Sequence, residues 1–136
     1  MNIEIIARAA IVRNRKILLC KAKEKNYYFL PGGHIEFGEN LKAGLKREIQ
    51  EELGLNSTTI EFFDIVENFF VQNKKNHHEI NFIFSTMLEN KEIKSKEKYI
   101  EFEWFELDQL KKVNLLPETL KNILFNKIPN AYGNRN

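Results

Sequence analysis

Between Gly33 and Leu55 the chain reads GHIEFGENLKAGLKREIQEELGL, and this stretch constrains the fold more than any other. Its second half has to be a helix. Leu41, Leu45, Ile49 and Leu53 recur at helical spacing and drift across roughly 120° of its surface, a normal core-facing stripe. Gly54 suits a left-handed C-terminal cap, so the helix is expected from about Asn40 to Leu53. Glu39, Glu48, Glu51 and Glu52 gather around this helix and its leading loop, with Arg47 among them.

Helix geometry sharpens the crowding. At about 100° per residue, Glu48 and Glu52 lie about 40° apart and Glu51 about 60° to the other side, so all three share an arc of about 100°. That arc overlaps the edge of the apolar stripe, where unpaired charge is expensive. A solvated face usually alternates glutamate with lysine at four-residue spacing. Here Glu48 and Glu52 are themselves the four-residue pair, although Arg47–Glu51 is favourable and Lys42 and Lys46 add positive charge. Helix physics leaves two readings open: a solvated acidic face, or a cation site. The loop favours the second. Hard divalent cations such as Mg²⁺ take a few carboxylates and leave other places to water and phosphates. Pro31-Gly32-Gly33 can bring a backbone carbonyl beside the helix, and the positive helix N-terminus favours an anion nearby.

Composition narrows the classes. The 136 residues suit one domain, expected over 1–129, with 130–136 as a frayed tail. A net charge of +2 does not by itself point to nucleic acid or a membrane surface. No segment has the apolar length of a membrane span, and Met1 to Val12, which contains Glu4 and Arg8, lacks a signal-peptide core. The single cysteine, Cys20, ends the apolar run Ile17-Leu18-Leu19 and reads as a buried structural thiol. A cytoplasmic, reduced setting is expected.

The periodicity describes an α/β domain. Ile3 to Val12 is apolar on both faces and is expected to be covered on both; Asn14-Arg15 turns into a strand from Lys16 to Lys21. Tyr27 to Leu30 runs into the breaker Pro31-Gly32-Gly33. Further strands are expected at Thr58–Phe70, Glu79–Leu88 and Tyr99–Phe105, separated by polar loops at Gln72–His78 and Glu89–Lys98. Pro117 is placed in the first turn of a closing helix whose Leu120, Ile123 and Leu124 face the core.

Gly33, five residues, Glu39, seven residues, then Arg47-Glu48-Ile49-Gln50-Glu51-Glu52-Leu53-Gly54-Leu55 resembles the Nudix box, G-x5-E-x7-R-E-U-x-E-E-x-G-U, at every defined position, with Ile49 and Leu55 at the bulky aliphatic U positions. Leu30-Pro31-Gly32-Gly33 is similar to the usual lead-in. The chain is thereby identified as a member of the Nudix (MutT-like) hydrolases, and the resemblance implies an α/β/α sandwich with a mixed β-sheet. It also implies hydrolysis of a diphosphate linkage in a nucleoside diphosphate-X substrate, with Mg²⁺ as cofactor and Mn²⁺ as a substitute. On these positions Glu48 and Glu52 are implied as principal metal ligands, Glu51 as a further ligand, and the Gly33 carbonyl as a backbone ligand. Arg47 would orient the glutamates and Glu39 support the loop–helix junction. Glu51 or Glu52 is the first choice for general base.

Outside the box the resemblance points to a ligand or base on the loop before a tryptophan-bearing strand. Trp104 marks that strand; Glu97 is the better candidate and Glu101 the runner-up, although a merely solvated Lys/Glu loop explains both. Tyr28 and Phe29 are candidates to stack on a nucleobase, with core packing as the alternative. His77, His78 and Asn81 are candidates for substrate contact. In the strand from Glu79 to Phe84, Ile80, Phe82 and Phe84 should face one side and Glu79, Asn81 and Ile83 the other. Neighbouring His77 and His78 would point opposite ways in a strand, which argues against shared ligation of one ion. The substrate expected is a small nucleotide, preferably a nucleoside triphosphate. ADP-ribose, nucleotide sugars, dinucleoside polyphosphates, RNA 5′ ends and a non-catalytic nucleotide sensor stay open. No DNA-binding module is expected, and the oligomeric state is open, with a homodimer the family alternative.

Overall fold

The computed structural model describes residues 2–128, so the expected tail at 130–136 lies outside the described residues. The elements run β1 (Ile3–Arg13), β2 (Lys16–Ala22), β3 (Gly32–His34), α1 (Leu41–Leu53), β4 (Ser57–Gln72), β5 (Lys75–Leu88), β6 (Ile100–Glu106), a 3₁₀ helix (Leu107–Lys112) and α2 (Thr119–Lys127). The sheet order is β4-β5-β1-β2-β6, with β3 attached to β1. β1 pairs parallel with β5 and antiparallel with β2 and β3, which makes the sheet mixed.

Helices cover both faces. On one, Leu45, Ile49 and Leu53 of α1 pack on Ala7, Ala9, Ile11, Leu18 and Phe84. On the other, Leu107 and Leu110 of the 3₁₀ helix and Leu120 and Leu124 of α2 pack on Ala10, Ile17, Leu19, Val66 and Ile83. This is the expected α/β/α sandwich. It explains why β1 is apolar on both sides, with Ile6, Ala7, Ala9, Ala10 and Ile11 all buried. Each fully buried leucine or isoleucine contributes roughly 2 kcal/mol. Cys20 is buried as expected; its Sγ donates to the Phe29 carbonyl at 3.4 Å, and burial pushes the thiol pKa up.

Three local expectations change. Gly32 and Gly33 do not merely break the chain; they form β3, which pairs Gly32 with Arg8, Gly33 with Ala7 and His34 with Ile6. Gly32 sits at φ 140°, and a Cβ there would come within 2.0 Å of the Ala7 carbonyl oxygen, so a residue that reads as a breaker is what lets the strands close. The expected loop at Gln72–His78 is a tight hairpin instead: β4 and β5 meet at Asn73 and Lys74, both at positive φ, and His77 and His78 lie in β5. Pro117 precedes α2 rather than sitting in its first turn, and its carbonyl accepts the Leu120 N–H at 3.0 Å.

Candidate active site

The loop and helix of the acidic stretch are tied together by one arginine. Asn40 caps α1, its Oδ1 accepting the Ala43 N–H at 2.8 Å, and Gly54 ends it at φ 69°, its N–H donating to the Gln50 carbonyl. From the helix, Arg47 Nε and Nη2 donate to the two oxygens of Glu39 at 2.7 and 2.9 Å, a bidentate pair. Nη2 also donates to the His34 carbonyl at 3.3 Å, and Nη1 to Glu48 at 3.0 Å and Glu51 at 3.3 Å. One guanidinium thus holds the loop backbone and two helix glutamates. The Arg47 hydrogen bonds hold the Glu39 carboxyl down at about 2, helped by the Glu36 N–H, while Glu39 chiefly raises the Arg47 pKa.

Gly33 lies against the acids. A Cβ built there would fall 2.6 Å from the Glu48 carboxyl carbon and oxygen, so a side chain at this position would push that carboxylate away from the β3 backbone. Gly44 does the same for the loop, since a Cβ on it would meet Ile35 at 2.5 Å and Glu39 at 2.8 Å.

Glu52 is the anomaly. It is 8% exposed, and its Oε1 has no hydrogen-bond partner. Burial pushes its pKa up to about 8, with Glu48 and Glu97 adding to the rise and Arg8 and the Gly32 N–H opposing it. A buried carboxyl with one orphaned oxygen, a second carboxylate against a glycine backbone and a third at the rim fit a hard divalent cation, which needs few protein ligands and leaves places to substrate phosphates. Among the described residues no group of three or more Asp, Glu, His or Cys side chains is placed to hold a metal ion, so these side chains alone do not form a ready-made metal centre. Glu51 points outward, 55% exposed, and is paired with Arg47.

Opposite these residues, the loop after β5 docks on the end of α1, where the Lys96 N–H donates to the Glu52 carbonyl at 2.8 Å. This brings the charge of Glu97 within reach of Glu52. Glu101 sits instead in β6, ion-paired with Lys21 at 3.2 Å. Of the two outside candidates, Glu97 therefore adjoins the box acids, with no cation paired to it among the described residues.

The NUDIX domain model matches residues 4–126. The chain belongs to the Nudix family. It is similar to the 8-oxo-dGTP diphosphatase of Buchnera aphidicola subsp. Schizaphis graminum, 35% identical over 108 residues that span 76% of this chain and 78% of that protein. It is also similar to the nucleoside triphosphatase NudI of Escherichia coli O139:H28, 31% identical over 118 residues, 78% of this chain and 84% of that one. Among solved structures, the MutT NUDIX hydrolase of Burkholderia pseudomallei superposes with a TM-score of 0.65 at 27% identity, covering 79% of this chain and 86% of that chain.

Around the Nudix box the structure distributes the substrate candidates unevenly. Tyr28 packs edge-on against Phe105, centroids 4.9 Å apart, and its hydroxyl donates to Glu103 at 3.2 Å; core packing accounts for it. Phe29 lies under the Arg8 guanidinium, 5.3 Å from its ring centroid, while Arg8 also donates to the Leu30 carbonyl at 3.1 Å. His77 and His78 point to opposite faces, as strand geometry requires. His77 stacks on Phe70 and bonds Glu4 at 2.8 Å, whereas His78 stacks on Phe69 and bonds Glu67 at 2.7 Å. Asn81 is 2% exposed and donates to Glu79.

Sequence reasoning missed Arg8, Glu4, His34 and Glu79. The signal was present in part: Glu4 and Arg8 are charges four apart, on one face of a strand otherwise built to be buried. Their partners could not be read, because His34 reaches Glu4 through the β1–β3 pairing and His77 and Glu79 come beside it through the parallel pairing of β1 with β5, more than 70 positions away.

Proposed function

We propose that this Nudix hydrolase splits the diphosphate linkage of a nucleoside triphosphate, releasing the monophosphate and pyrophosphate. The observation that carries the proposal is the orphaned Glu52 oxygen beside a Glu48 carboxylate for which Gly33 makes room. Glu48, Glu52 and the Gly33 carbonyl would hold Mg²⁺, with Mn²⁺ as a substitute and Glu51 and Glu97 at the margin. When bound, such a cation offsets the charge of the diphosphate and acidifies a water.

The chain's own residues do the rest. Arg47 fixes Glu48 and Glu51 against the loop, and Glu39 holds Arg47 in place. A water oxygen attacks one phosphorus of the α–β bridge, the bridging P–O bond breaks, and its electron pair leaves with the other half, so that the nucleoside monophosphate and pyrophosphate separate. The water's proton passes to a carboxylate, and Glu97 suits this role better than Glu51, which Arg47 already engages. Support for a triphosphate comes from the two relatives named above and from the lack of strong positive charge that an RNA body would need. Among the described residues no helix is long and apolar enough to cross a membrane. A cytoplasmic setting belongs to the same reading. So does a homodimer, supported by the edge strand β4, which leaves Phe62, Ile65, Phe69 and Val71 exposed.

The test is product analysis with nucleoside triphosphates, ADP-ribose, a nucleotide sugar and a dinucleoside polyphosphate, each with Mg²⁺ and with Mn²⁺. Monophosphate plus pyrophosphate from a triphosphate is the expected result. Turnover confined to ADP-ribose or a nucleotide sugar would overturn the substrate assignment and leave the box chemistry intact.

A further inference from the structure

The sheet face under α1 is covered only in part. Leu45 and Ile49 of the helix pack on Ala7, Ala9 and Phe84. Toward its N-terminus, β4 and β5 carry the same apolar face onward, where cross-strand pairing joins Phe62 to Phe84 and Ile65 to Phe82. Phe62 stands edge-on to Phe84, centroids 6.2 Å apart, and both Phe62 and Ile65 are exposed. Phe62, Phe82, Phe84 and Leu41 line an open groove of about 700 Å³, with the exposed Lys42 on its rim.

Beside this groove stands a knob. Glu36, Phe37, Gly38 and Glu39 form a tight turn, closed by the Glu39 N–H donating to the Glu36 carbonyl at 3.0 Å. Gly38, at φ 85°, supplies the positive φ that a type II turn needs at its third position. The turn is tied at both ends. A Glu39 carboxylate oxygen accepts the Glu36 N–H at 3.0 Å, and the Ile35 N–H donates to the Ile5 carbonyl at 3.0 Å. Phe37 occupies the tip and is fully exposed. An aromatic ring on a turn already held in place loses less conformational entropy when a partner covers it.

Knob and groove share one face, since Glu39 both closes the turn and lines the groove. A face with a projection, a recess and both signs of charge is self-complementary, as a twofold contact requires. The charges agree with this. Glu36, beside the knob, is exposed, and Arg47 spends its ion pairs on Glu39, Glu48 and Glu51. Lys42 offers the opposite sign at the groove. Phe37, Phe62 and Ile65 expose on the order of 400 Å² of apolar side chain per copy, about half of what each partner buries in a standard stable interface. Pairing of two β4 edges is less favoured: β4 carries Glu61, Asp64 and Glu67 with no lysine or arginine, so it gains no cross-strand charge pair.

We propose that a second copy of this chain docks on this face about a twofold axis, with Phe37 seated in the partner's groove and Glu36 against the partner's Lys42. The proposal rests on the homodimer reading above and deepens it, and it is independent of the reaction. Glu39 closes the turn and also holds Arg47, so the contact braces the loop side of the candidate active site.

The molar mass of the full chain is measured by sedimentation equilibrium over a micromolar concentration series. Wild type should follow a monomer–dimer equilibrium, and Phe37→Ser should weaken association by about tenfold or more. Glu36→Lys and Lys42→Glu should each weaken it by setting like charges against one another, whereas an equimolar mixture of these two variants should associate again, because the reversed charges meet across the axis. A wild type that stays monomeric overturns this interface and the homodimer reading together. A Phe37→Ser protein that dimerises as wild type does, or a mixture that associates no better than the single variants, overturns the interface and keeps the homodimer. Mass that grows beyond two copies overturns the twofold arrangement. If Phe37→Ser fails to fold, the charge-reversal mixture decides.

Discussion

Glu52 is worse solvated in the folded chain than in the unfolded one, and its hydrogen-bond partners do not make up the difference. Its folded pKa of about 8 lies above the ordinary glutamate value, so the folded state holds its proton over that interval and the unfolded state does not. Stability from this group is fully present below the unfolded pKa and is lost as pH rises through about 8. Glu39 has the opposite sign: held at about 2 by Arg47, it favours the fold at neutral pH and stops doing so in acid. In EDTA the wild-type melting temperature should therefore fall between pH 5 and pH 8.5. Glu52→Gln removes the buried charge at nearly constant shape, so it should flatten that fall and be more stable at pH 8.5 by about 1–3 kcal/mol. Parallel melting curves for the two proteins would contradict the burial of Glu52 as an acid with one oxygen unpartnered.

At the level of elements, two hairpin turns carry strain in non-glycine residues. Asn14-Arg15 and Asn73-Lys74 all have positive φ, the mirror-image turn that matches strand twist. Asparagine tolerates this region, whereas arginine and lysine cost about 1 kcal/mol there. Lys74→Gly should accordingly raise stability by roughly 0.5–1 kcal/mol in a denaturant melt, with catalysis unchanged. A neutral or destabilising result would mean that the Lys74 side chain contributes packing that outweighs the strain. These turns also show where sequence reading runs short. Asn14-Arg15 was legible because two apolar runs flank it closely. Polar residues from Gln72 to His78 read as a loop, although tertiary pairing with β4 draws all but two of them into strands. β3 was hidden for the converse reason: three residues, two of them glycine, carry no period, and the pairing with β1 that orders them is long-range.

Across the whole molecule, chemistry that is contiguous in the chain was legible and chemistry that is contiguous only in space was not. Helix spacing placed Glu48, Glu51 and Glu52 on one arc, because a helix fixes neighbours by local geometry. Only folding shows that Glu52 is buried, that Gly33 clears space for Glu48, and that Arg8 and Glu79 join the same sheet face. The sandwich explains the division of labour. α1 buries its apolar stripe on one face and presents its acids at the edge of that stripe, while β1 and β5 carry polar side chains on the opposite face. The central claim is that the acidic arc is a metal–diphosphate centre and not a solvated helix face. Its most direct test is the rate of phosphate or pyrophosphate release from the preferred nucleotide at saturating Mg²⁺, for wild type and Glu52→Gln. A loss of about a thousandfold or more in the folded variant is expected, on the scale of removing one group that stabilises transition-state charge. Wild-type turnover by Glu52→Gln would contradict it.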